Sequence, residues 1–495
     1  MAQLRPVVLR PRDLPTAVDG ETVDVLFEGE TLAARPGEPL MATLLAHGFD
    51  IASRSVKYHR PRGAFCLGGT CGQCWMRIDD IPNRAACTTP ARKGLVATRE
   101  NAFPSADHDL FRAADLVFPQ GLDHHRLGTT PVRAVNTLID GTARQLAGLG
   151  ALSDRPAPPP PVMKRVSAEI VVIGAGPAGM AAALAAARAG AGVLMLEKRR
   201  EIGGHLNTGL FDDDPEYALL PKQHLEALRD AGAVGWSRAH ALGIFATGDG
   251  GREVLVRRGG PQEHLVRVRP EVLILATGGY EQAGLFANND LPGHYAARGV
   301  AKLILHRGVR PGRRAVIIDA QPGGETGWRL QRRLTAVGIE ATRLCTAPVD
   351  HAPIEGALPS ATLTGATVIG ARGRTRVKGV EISIRGEPRT RRVLPCDLLI
   401  SALPPSPSYE LAHQAGCSLA HRPELGGFPV VRDPGTGATS VEGIFTAGDL
   451  SGTHTAREAM RDGVIAGLSA ALLLADDQVL RHRRDDLAAQ ARGAR

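Results

Sequence analysis

Long apolar runs and aromatic side chains are both scarce in this sequence. Aromatic residues make up 4% of the chain and hydrophobic residues 43%, so its cores must be built from Ala, Val, Leu and Ile. No run reaches the roughly 20 apolar residues that a bilayer-spanning helix needs. The N-terminal stretch MAQLRPVVLRPRDLP lacks the continuous apolar core of a secretory signal. We therefore expect a cytoplasmic protein without a transmembrane segment.

Lysine is also rare and accounts for only seven of the 59 basic residues. The arginines are interleaved with acidic residues and form no basic block with aromatic platforms, which argues against nucleic-acid binding. The net charge of +8 therefore indicates a solvated surface or attraction of an acidic protein partner.

Cysteine is the third scarce residue, yet four of the seven cysteines lie in one stretch, FCLGGTCGQCWMRIDDIPNRAACTTP. Cys66, Cys71, Cys74 and Cys87 have the spacing C-x4-C-x2-C-x12-C. Disulfides are unusual in a reducing cytoplasm, and zinc sites more often use paired C-x2-C or Cys/His sets. A [2Fe–2S] cluster fits this spacing best, and these cysteines are its predicted ligands.

Glycines within the same stretch support an iron–sulfur cluster. The cluster and its four thiolates carry net negative charge, which backbone N–H groups directed at the sulfur atoms would stabilise. Gly68, Gly69 and Gly72 allow the loop to curl closely around such a group without clashes from Cβ atoms.

A dinucleotide-binding motif begins with the strand AEIVVI. G-x-G-x-x-G is satisfied by Gly174, Gly176 and Gly179, and Glu197 ends the following strand. We expect the helix N-terminus to face a pyrophosphate and Glu197 to accept hydrogen bonds from a ribose. Two later segments, EVLILATGGY and GIFTAGD, are typical of FAD-binding flavoproteins and favour FAD over NAD. The predicted cofactor-binding residues are Gly174, Ala175, Gly176, Pro177, Ala178, Gly179, Glu197, Lys198, Gly204, His205, Gly278, Gly448 and Asp449.

A second dinucleotide unit, AVIIDAQPGGET, has lost most of its motif. Asp319 and Gln321 replace its first two glycines, and only Gly324 keeps the register. A carboxylate at the first position would face a pyrophosphate, and a long side chain at the second would block its approach. We predict a retained fold with weakened or lost NAD binding.

These patterns predict an α/β chain. An N-terminal β-grasp, ferredoxin-like domain with the cluster loop would be followed by a flavoprotein with two Rossmann-type dinucleotide-binding domains. The predicted segments are the [2Fe–2S] domain (17–100), a helical and proline-rich connection (101–166), the FAD domain in two parts (167–280 and 395–475), the degenerate NAD-like domain (281–394) and a charged tail (476–495).

Two further segments, SVKYHRPRG and FANNDLPG, carry a resemblance. With the degenerate second site, they resemble the alpha subunit of heterotetrameric sarcosine oxidase. Similar chains occur in hydrogen cyanide synthase, opine oxidases and (hydroxy)proline dehydrogenases. The four cysteines depart from the sarcosine oxidase pattern and favour an electron-transferring dehydrogenase subunit.

The resemblance implies an FAD/[2Fe–2S] subunit of an amino- or imino-acid oxidoreductase. A partner flavoprotein would oxidise the substrate, and a protein or quinone would serve as the external acceptor. The alternative is a self-sufficient NAD(P)H-dependent reductase, and a third option is a redox sensor without turnover. No catalytic acid or base can be named from the sequence. His454 follows the GIFTAGD segment and is assigned no role. For His124 and His125 we expect surface or packing roles, with a ligand or proton-relay role as the alternative. We expect the isolated Cys345, Cys396 and Cys417 to be buried structural residues.

Overall fold

The structure is a computed structural model of the 495-residue chain. It describes residues 21–56, 58–113, 131–134, 136–137, 153, 156, 161–259, 264–320, 325–346, 360–385, 387–453 and 455–493. The predicted helix in PVRAVNTLIDGTARQLAGLG falls largely outside these ranges, as do His124, His125, Gln321, Gly324 and His454.

Strands and helices alternate through most of the described chain. The strands are β1 (Val23–Phe27), β2 (Glu30–Ala34), β3 (Ser53–Arg54), β4 (Pro61–Arg62), β5 (Trp75–Ile78), β6 (Ile81–Ala85), β7 (Leu95–Thr98), β8 (Met163–Ile173), β9 (Val193–Leu196), β10 (Val234–Trp236), β11 (Ala239–Ala246), β12 (Arg252–Arg258), β13 (His264–Leu275), β14 (Gly279–Tyr280), β15 (His294–Ala296), β16 (Arg314–Asp319), β17 (Glu340–Cys345), β18 (Ser360–Thr364), β19 (Ala366–Arg372), β20 (Gly379–Ile384), β21 (Glu387–Pro395), β22 (Leu398–Ala402), β23 (Ser406–Pro407) and β24 (Ile444–Thr446). The α-helices are α1 (Leu40–Ala46), α2 (Pro177–Arg188), α3 (Leu220–Asp230), α4 (Ala297–Ala301), α5 (Thr326–Ala336), α6 (Glu410–Gln414), α7 (Ala456–Leu474) and α8 (Gln478–Gly493).

The chain divides into two compact units. The first comprises Met1–Pro156, Ala283–Ala320 and Leu330–Ala402, and the second comprises Ala157–Gln282, Gln321–Arg329 and Leu403–Arg495.

The first unit begins with a five-stranded sheet of order β2-β1-β7-β5-β6. β1 and β2 form a hairpin, with Val25 paired to Leu32 and the apolar side chains alternating onto one buried face. α1 ends before Gly48, whose φ of 81° suits glycine. Three of the four cysteines lie between the β3–β4 hairpin and β5, and the fourth, Cys87, follows β6.

The first unit also contains a parallel sheet of order β15-β22-β16-β17-β18. The antiparallel sheet β19-β20-β21 packs with it around a core that includes Val316, Leu399 and Ile382. This arrangement matches the predicted Rossmann-like unit that contains the degenerate motif.

The second unit is organised around a seven-stranded sheet of order β10-β9-β8-β13-β12-β11, with β24 also paired to β13. β10, β9, β8, β13 and β24 are mutually parallel, whereas β12 and β11 are antiparallel. α2 and α7 pack in close contact, which Gly463 permits because it has no side chain. A Cβ there would come within 2.1 Å of the Ala178 carbonyl oxygen. The adjacent β8–α2–β9 and β24–α7 segments form the dinucleotide-binding half that the sequence predicts.

The predicted fold class is confirmed, whereas the predicted domain boundaries stay predictions. Among the described residues, no helix is both long and apolar enough to span a membrane.

Candidate functional site

The four-cysteine loop brings its thiols together in the first unit. Cys66, Cys74 and Cys87 are buried, and Cys71 is partly exposed. The Cys66 thiol is within hydrogen-bonding reach of the Cys71 and Cys87 thiols, and Cys87 also reaches Cys74. Residues separated by up to 21 positions therefore converge on one small volume, as the spacing predicts.

Backbone N–H groups surround the cysteine sulfurs. The Cys66 sulfur accepts hydrogen bonds from the N–H groups of Gly68 at 3.4 Å and Thr70 at 3.3 Å. The Cys87 sulfur accepts one from Gly69 at 3.2 Å. Gly69 has a φ of 81°, and a Cβ there would come within 2.8 Å of the Thr88 side chain. The loop thus supplies the donors that a negatively charged iron–sulfur centre requires.

The same contacts alter the acidity of the thiols. Hydrogen bonds from the Cys71 and Cys87 thiols lower the pKa of Cys66 far below that of a free cysteine. Donation to Cys66 raises the pKa of Cys71 and of Cys87. Thiolates are the metal-binding form of cysteine, so the loop already favours the form that binds iron at Cys66.

The contacts among the thiols indicate which kind of metal group they fit. In the part of the chain that the structure describes, no group of three or more His, Cys, Asp or Glu side chains could hold a metal ion as placed. The contacts link all four thiols in one series, Cys71 to Cys66, Cys66 to Cys87 and Cys87 to Cys74. A two-iron cluster takes its thiolates in pairs, and this series can supply two pairs. With the N–H donors, these pairs fit a [2Fe–2S] cluster.

The glycine motif of the second unit forms a tight strand-to-helix turn. Gly174 has a φ of 105°, and a Cβ there would lie 2.2 Å from the Ala276 carbonyl oxygen. A Cβ on Gly179 would lie 1.8 Å from the Gly174 carbonyl oxygen. These two glycines are therefore required by the fold itself.

Gly176 differs from the other two motif glycines. It precedes α2 with φ −74° and ψ −176°, a conformation open to any residue. A Cβ there would meet no atom nearer than 3.9 Å, the Gly204 Cα. Since the protein itself leaves room for a side chain, the space beside Gly176 fits a ligand that approaches the backbone, such as a pyrophosphate.

Glu197 lies at the end of β9 and is 8% exposed. Its two carboxylate oxygens accept hydrogen bonds from the N–H groups of Ala175 at 2.9 Å and Arg199 at 2.8 Å. Each oxygen keeps a second lone pair, which is what a ribose hydroxyl would need. Its predicted ribose contact stays a prediction.

The remaining predicted cofactor residues lie in the second unit. Gly278 follows β13 with a φ of 72°, and Asp449 is buried just after β24. His205 follows Gly204 in the 3₁₀-helix Gly204–Thr208, with its ring 5.6 Å from that of Phe211. The others are Ala175, Pro177 and Ala178 at the start of α2, Gly448 before Asp449, and the exposed Lys198 after Glu197. Their individual roles stay predictions.

In the degenerate motif, the carboxylate of Asp319 is paired with an arginine. Asp319 ends β16 and is buried, with its Oδ2 3.4 Å from the Arg343 Nη1 on β17. Glu325, which directly precedes α5, accepts a hydrogen bond from the Ala456 N–H. Arg329, in the first turn of α5, donates to Asp214. Weakened or lost NAD binding stays a prediction.

The three isolated cysteines are buried, as expected. Burial raises the pKa of Cys345, of Cys417 and of Cys396, the last to about 12. These thiols are therefore protonated at neutral pH and suit structural packing.

His294 is a site residue that the sequence analysis missed, although it directly follows FANNDLPG. Its Nδ1 donates to the Asn289 carbonyl oxygen at 2.6 Å, so its Nε2 accepts from the Ser401 hydroxyl at 2.8 Å. The ring lies between those of Phe65 and Phe286, with centroids 5.1 and 5.3 Å away. Burial lowers the pKa of His294 to about 4, so this neutral imidazole is a packing residue beside the cluster loop.

We expect His294 to make the stability of the protein sensitive to acid. An unfolded histidine takes up a proton near pH 6.5, whereas the folded one resists protonation until about pH 4. The free energy of unfolding should therefore fall by about 3 kcal/mol between these two pH values, with no such contribution above pH 6.5. Denaturant unfolding at several pH values should show a shallower slope in His294→Gln than in the unchanged protein.

The exposed His108 provides the control for this experiment. His108→Gln should keep the slope of the unchanged protein. Equal slopes in all three proteins would show that His294 is not held neutral.

Two parts of the chain match described families. Residues 20–102 match the 2Fe-2S iron-sulfur cluster binding domain, and residues 169–228 match the FAD dependent oxidoreductase family. The first range contains all four loop cysteines, and the second contains the glycine motif and Glu197. FAD and a [2Fe–2S] cluster are therefore the cofactors of this chain.

Curated relatives extend this likeness along the chain. Sarcosine oxidase subunit alpha of Rhizobium meliloti strain 1021 is 28% identical over 74% of this chain and 38% of its own length. The chain thus spans less than two thirds of that relative. Hydrogen cyanide synthase subunit HcnA of Pseudomonas aeruginosa is 38% identical over 16% of this chain and 74% of its own length.

A solved structure shares the fold over nearly the whole chain. L-proline dehydrogenase from P. horikoshii superposes with a TM-score of 0.66 at 21% sequence identity, covering 98% of this chain and 79% of that one. This likeness concerns the fold.

Proposed function

Because this chain belongs to the family of sarcosine oxidase subunit alpha and hydrogen cyanide synthase subunit HcnA, we propose that it is the electron-transferring subunit of a multi-subunit oxidoreductase. Its substrates would be amino or imino acids such as sarcosine, proline, hydroxyproline or an opine. A partner flavoprotein subunit would oxidise the substrate, and this chain would pass the electrons to an external acceptor.

The observation that carries the proposal is that one chain contains two arrangements suited to hold a cofactor. One is the cysteine loop with its N–H donors, and the other is the glycine turn beside Gly176 with Glu197. When bound, FAD takes up two electrons and a [2Fe–2S] centre passes electrons singly, so a chain with both suits transfer from a two-electron donor to a one-electron acceptor.

The chain's own residues would bind and tune these groups. The α2 N-terminus and the open face of Gly176 would hold the pyrophosphate, and Glu197 would orient the ribose. The N–H groups of Gly68, Gly69 and Thr70 would offset the negative charge of the thiolates. Such donors raise the potential of an iron–sulfur centre and make it a better electron acceptor.

Electrons would enter through a partner rather than through a nicotinamide cofactor. Asp319 stands where the second motif would have its first glycine, and its carboxylate is buried against Arg343. A negative group at this position disfavours a pyrophosphate. The relatives named above are themselves subunits, which supports a partner that provides the substrate pocket.

We expect purified protein to show two responses. NADH alone should leave its flavin absorbance unchanged over minutes, because the second motif is degenerate. The tagged chain co-purified with its untagged partner should reduce a dye acceptor when given one of sarcosine, proline, hydroxyproline or an opine. Absorbance spectroscopy under anaerobic conditions checks both.

Two outcomes would contradict the proposal. Rapid bleaching by NADH without a partner would favour the alternative, a self-sufficient NAD(P)H-dependent reductase. No dye reduction with any of these substrates, in a complex that retains both cofactors, would remove amino- and imino-acid oxidation from consideration.

A further inference from the structure

The segments SVKYHRPRG and FANNDLPG contact each other, although more than 220 residues separate them. The first segment leads through β4 directly into Cys66. We call residues 286–299 the seat. They include the second segment, β15 and the start of α4. The proposed function assigns the seat no role.

At one end of this contact, two arginines form ion pairs with the carboxylate of Asp290 in the seat. Arg60 and Arg62 approach opposite oxygens of Asp290, each at 3.2 Å. Asp290 is only 9% exposed. The Arg60 contact is ionic, since the Asp290 Oδ1 has no aligned hydrogen-bond donor, and Arg60 also donates to the Asn288 side chain at 2.8 Å.

The contact continues up to the first cluster cysteine. A Cβ on Gly63 would lie 2.8 Å from the Pro292 Cα, so these backbones touch. The Ala296 N–H donates to the Phe65 carbonyl oxygen at 3.0 Å. A Cβ on Gly299 would lie 2.4 Å from the Cys66 carbonyl oxygen, which leaves no room for any other residue there.

These contacts run in the same order along both segments. From Arg60 to Cys66, successive residues meet positions 288, 290, 292, 296 and 299 of the seat. We infer that the seat positions the cluster-binding loop, with Asp290 and Gly299 as its positioning residues. Neither residue is among the predicted ligands, and both would act through the backbone that carries Cys66.

Because the seat positions the loop, replacing its positioning residues should weaken the retention of iron. Residues outside the ligand set that orient metal ligands commonly change metal retention by about 10–100-fold when replaced. The inference depends on the cluster and is independent of the partner subunit and the substrate. Failure of the amino-acid assay would therefore leave it intact.

The test uses the full-length holoprotein and an iron chelator. In Gly299→Ala, the added methyl group should push the Cys66 backbone outward, and iron should leave about tenfold faster or more. The electron paramagnetic resonance spectrum of the reduced cluster should also change, whereas the FAD content should not. Gly248→Ala is the matched control, because its position has open space and no positive φ, and it should behave as the unchanged protein.

A second pair of variants covers the case in which Gly299→Ala does not fold. Asp290→Asn keeps the size of the side chain and removes the charge that holds both arginines, so it should also speed iron loss. Asp290→Glu should restore part of the retention. Rates and spectra equal to the unchanged protein in both Gly299→Ala and Asp290→Asn would overturn the inference. Loss of FAD together with iron would also overturn it, because that result indicates general unfolding.

Discussion

Replacing Cys66 with serine should remove the iron and leave the FAD bound. Cys66 receives two backbone N–H donors and contacts two other cluster thiols. A serine hydroxyl keeps the size of the side chain but binds iron poorly. Iron retention should fall by more than about a hundredfold, since replacing residues outside the ligand set already costs about 10–100-fold.

Two measurements check this expectation. Iron and acid-labile sulfide per chain should drop from two each, the content of a [2Fe–2S] cluster, to near zero. The visible flavin spectrum should stay, because Gly176 and Glu197 belong to the other unit. Dye reduction through a one-electron acceptor should be lost in the complex.

Cys417→Ser is the matched control for this experiment. Cys417 is buried and lies more than 300 residues after the loop cysteines. Its thiol donates to the Thr439 hydroxyl at 3.5 Å, a bond that serine can replace. Its iron content should equal that of the unchanged protein. Full iron content in Cys66→Ser would contradict the assignment of Cys66 as a ligand.

Replacing Gly176 with valine should abolish FAD binding in a chain that still folds. The protein leaves the space beside Gly176 open, and its φ and ψ suit any residue. The side chain would occupy the volume assigned to the pyrophosphate. FAD affinity should fall at least about 100-fold, which corresponds to about 2.8 kcal/mol.

A Gly179 variant distinguishes loss of FAD binding from loss of the fold. Gly179→Ala forces a Cβ to 1.8 Å from the Gly174 carbonyl oxygen and should destabilise the fold itself. Gly176→Val should instead keep the iron content and circular dichroism spectrum of the unchanged protein while losing flavin absorbance. Stoichiometric FAD in Gly176→Val would show that the cofactor does not approach the backbone there.

Local sequence was sufficient to predict the shape of the cysteine loop and of the glycine turn, because each depends on short-range geometry. Closely spaced cysteines with intervening glycines restrict a loop to conformations that direct thiols and N–H groups inward. Likewise, the separation of Gly174, Gly176 and Gly179 determines how a strand turns into a helix. The alternating apolar residues of β1 and β2 are a local pattern of the same kind.

Contacts between distant segments could not be predicted in this way. Periodicity shows which face of a strand or helix is buried, but it does not name the partner that covers it. The sequence showed SVKYHRPRG and FANNDLPG as unusual segments, yet only the folded chain pairs Asp290 with Arg60 and Arg62. The pairing of Asp319 with Arg343 and the neutral state of His294 likewise depend on neighbours that the fold supplies.

The sequence by itself therefore determined the fold class, and it named the residues proposed for the two cradles, since both follow from spacing within a few turns of chain. Tertiary structure alone decided what supports the cluster loop. That support comes from residues that packing brings into contact from distant parts of the chain, and a one-dimensional pattern contains no information about such contacts.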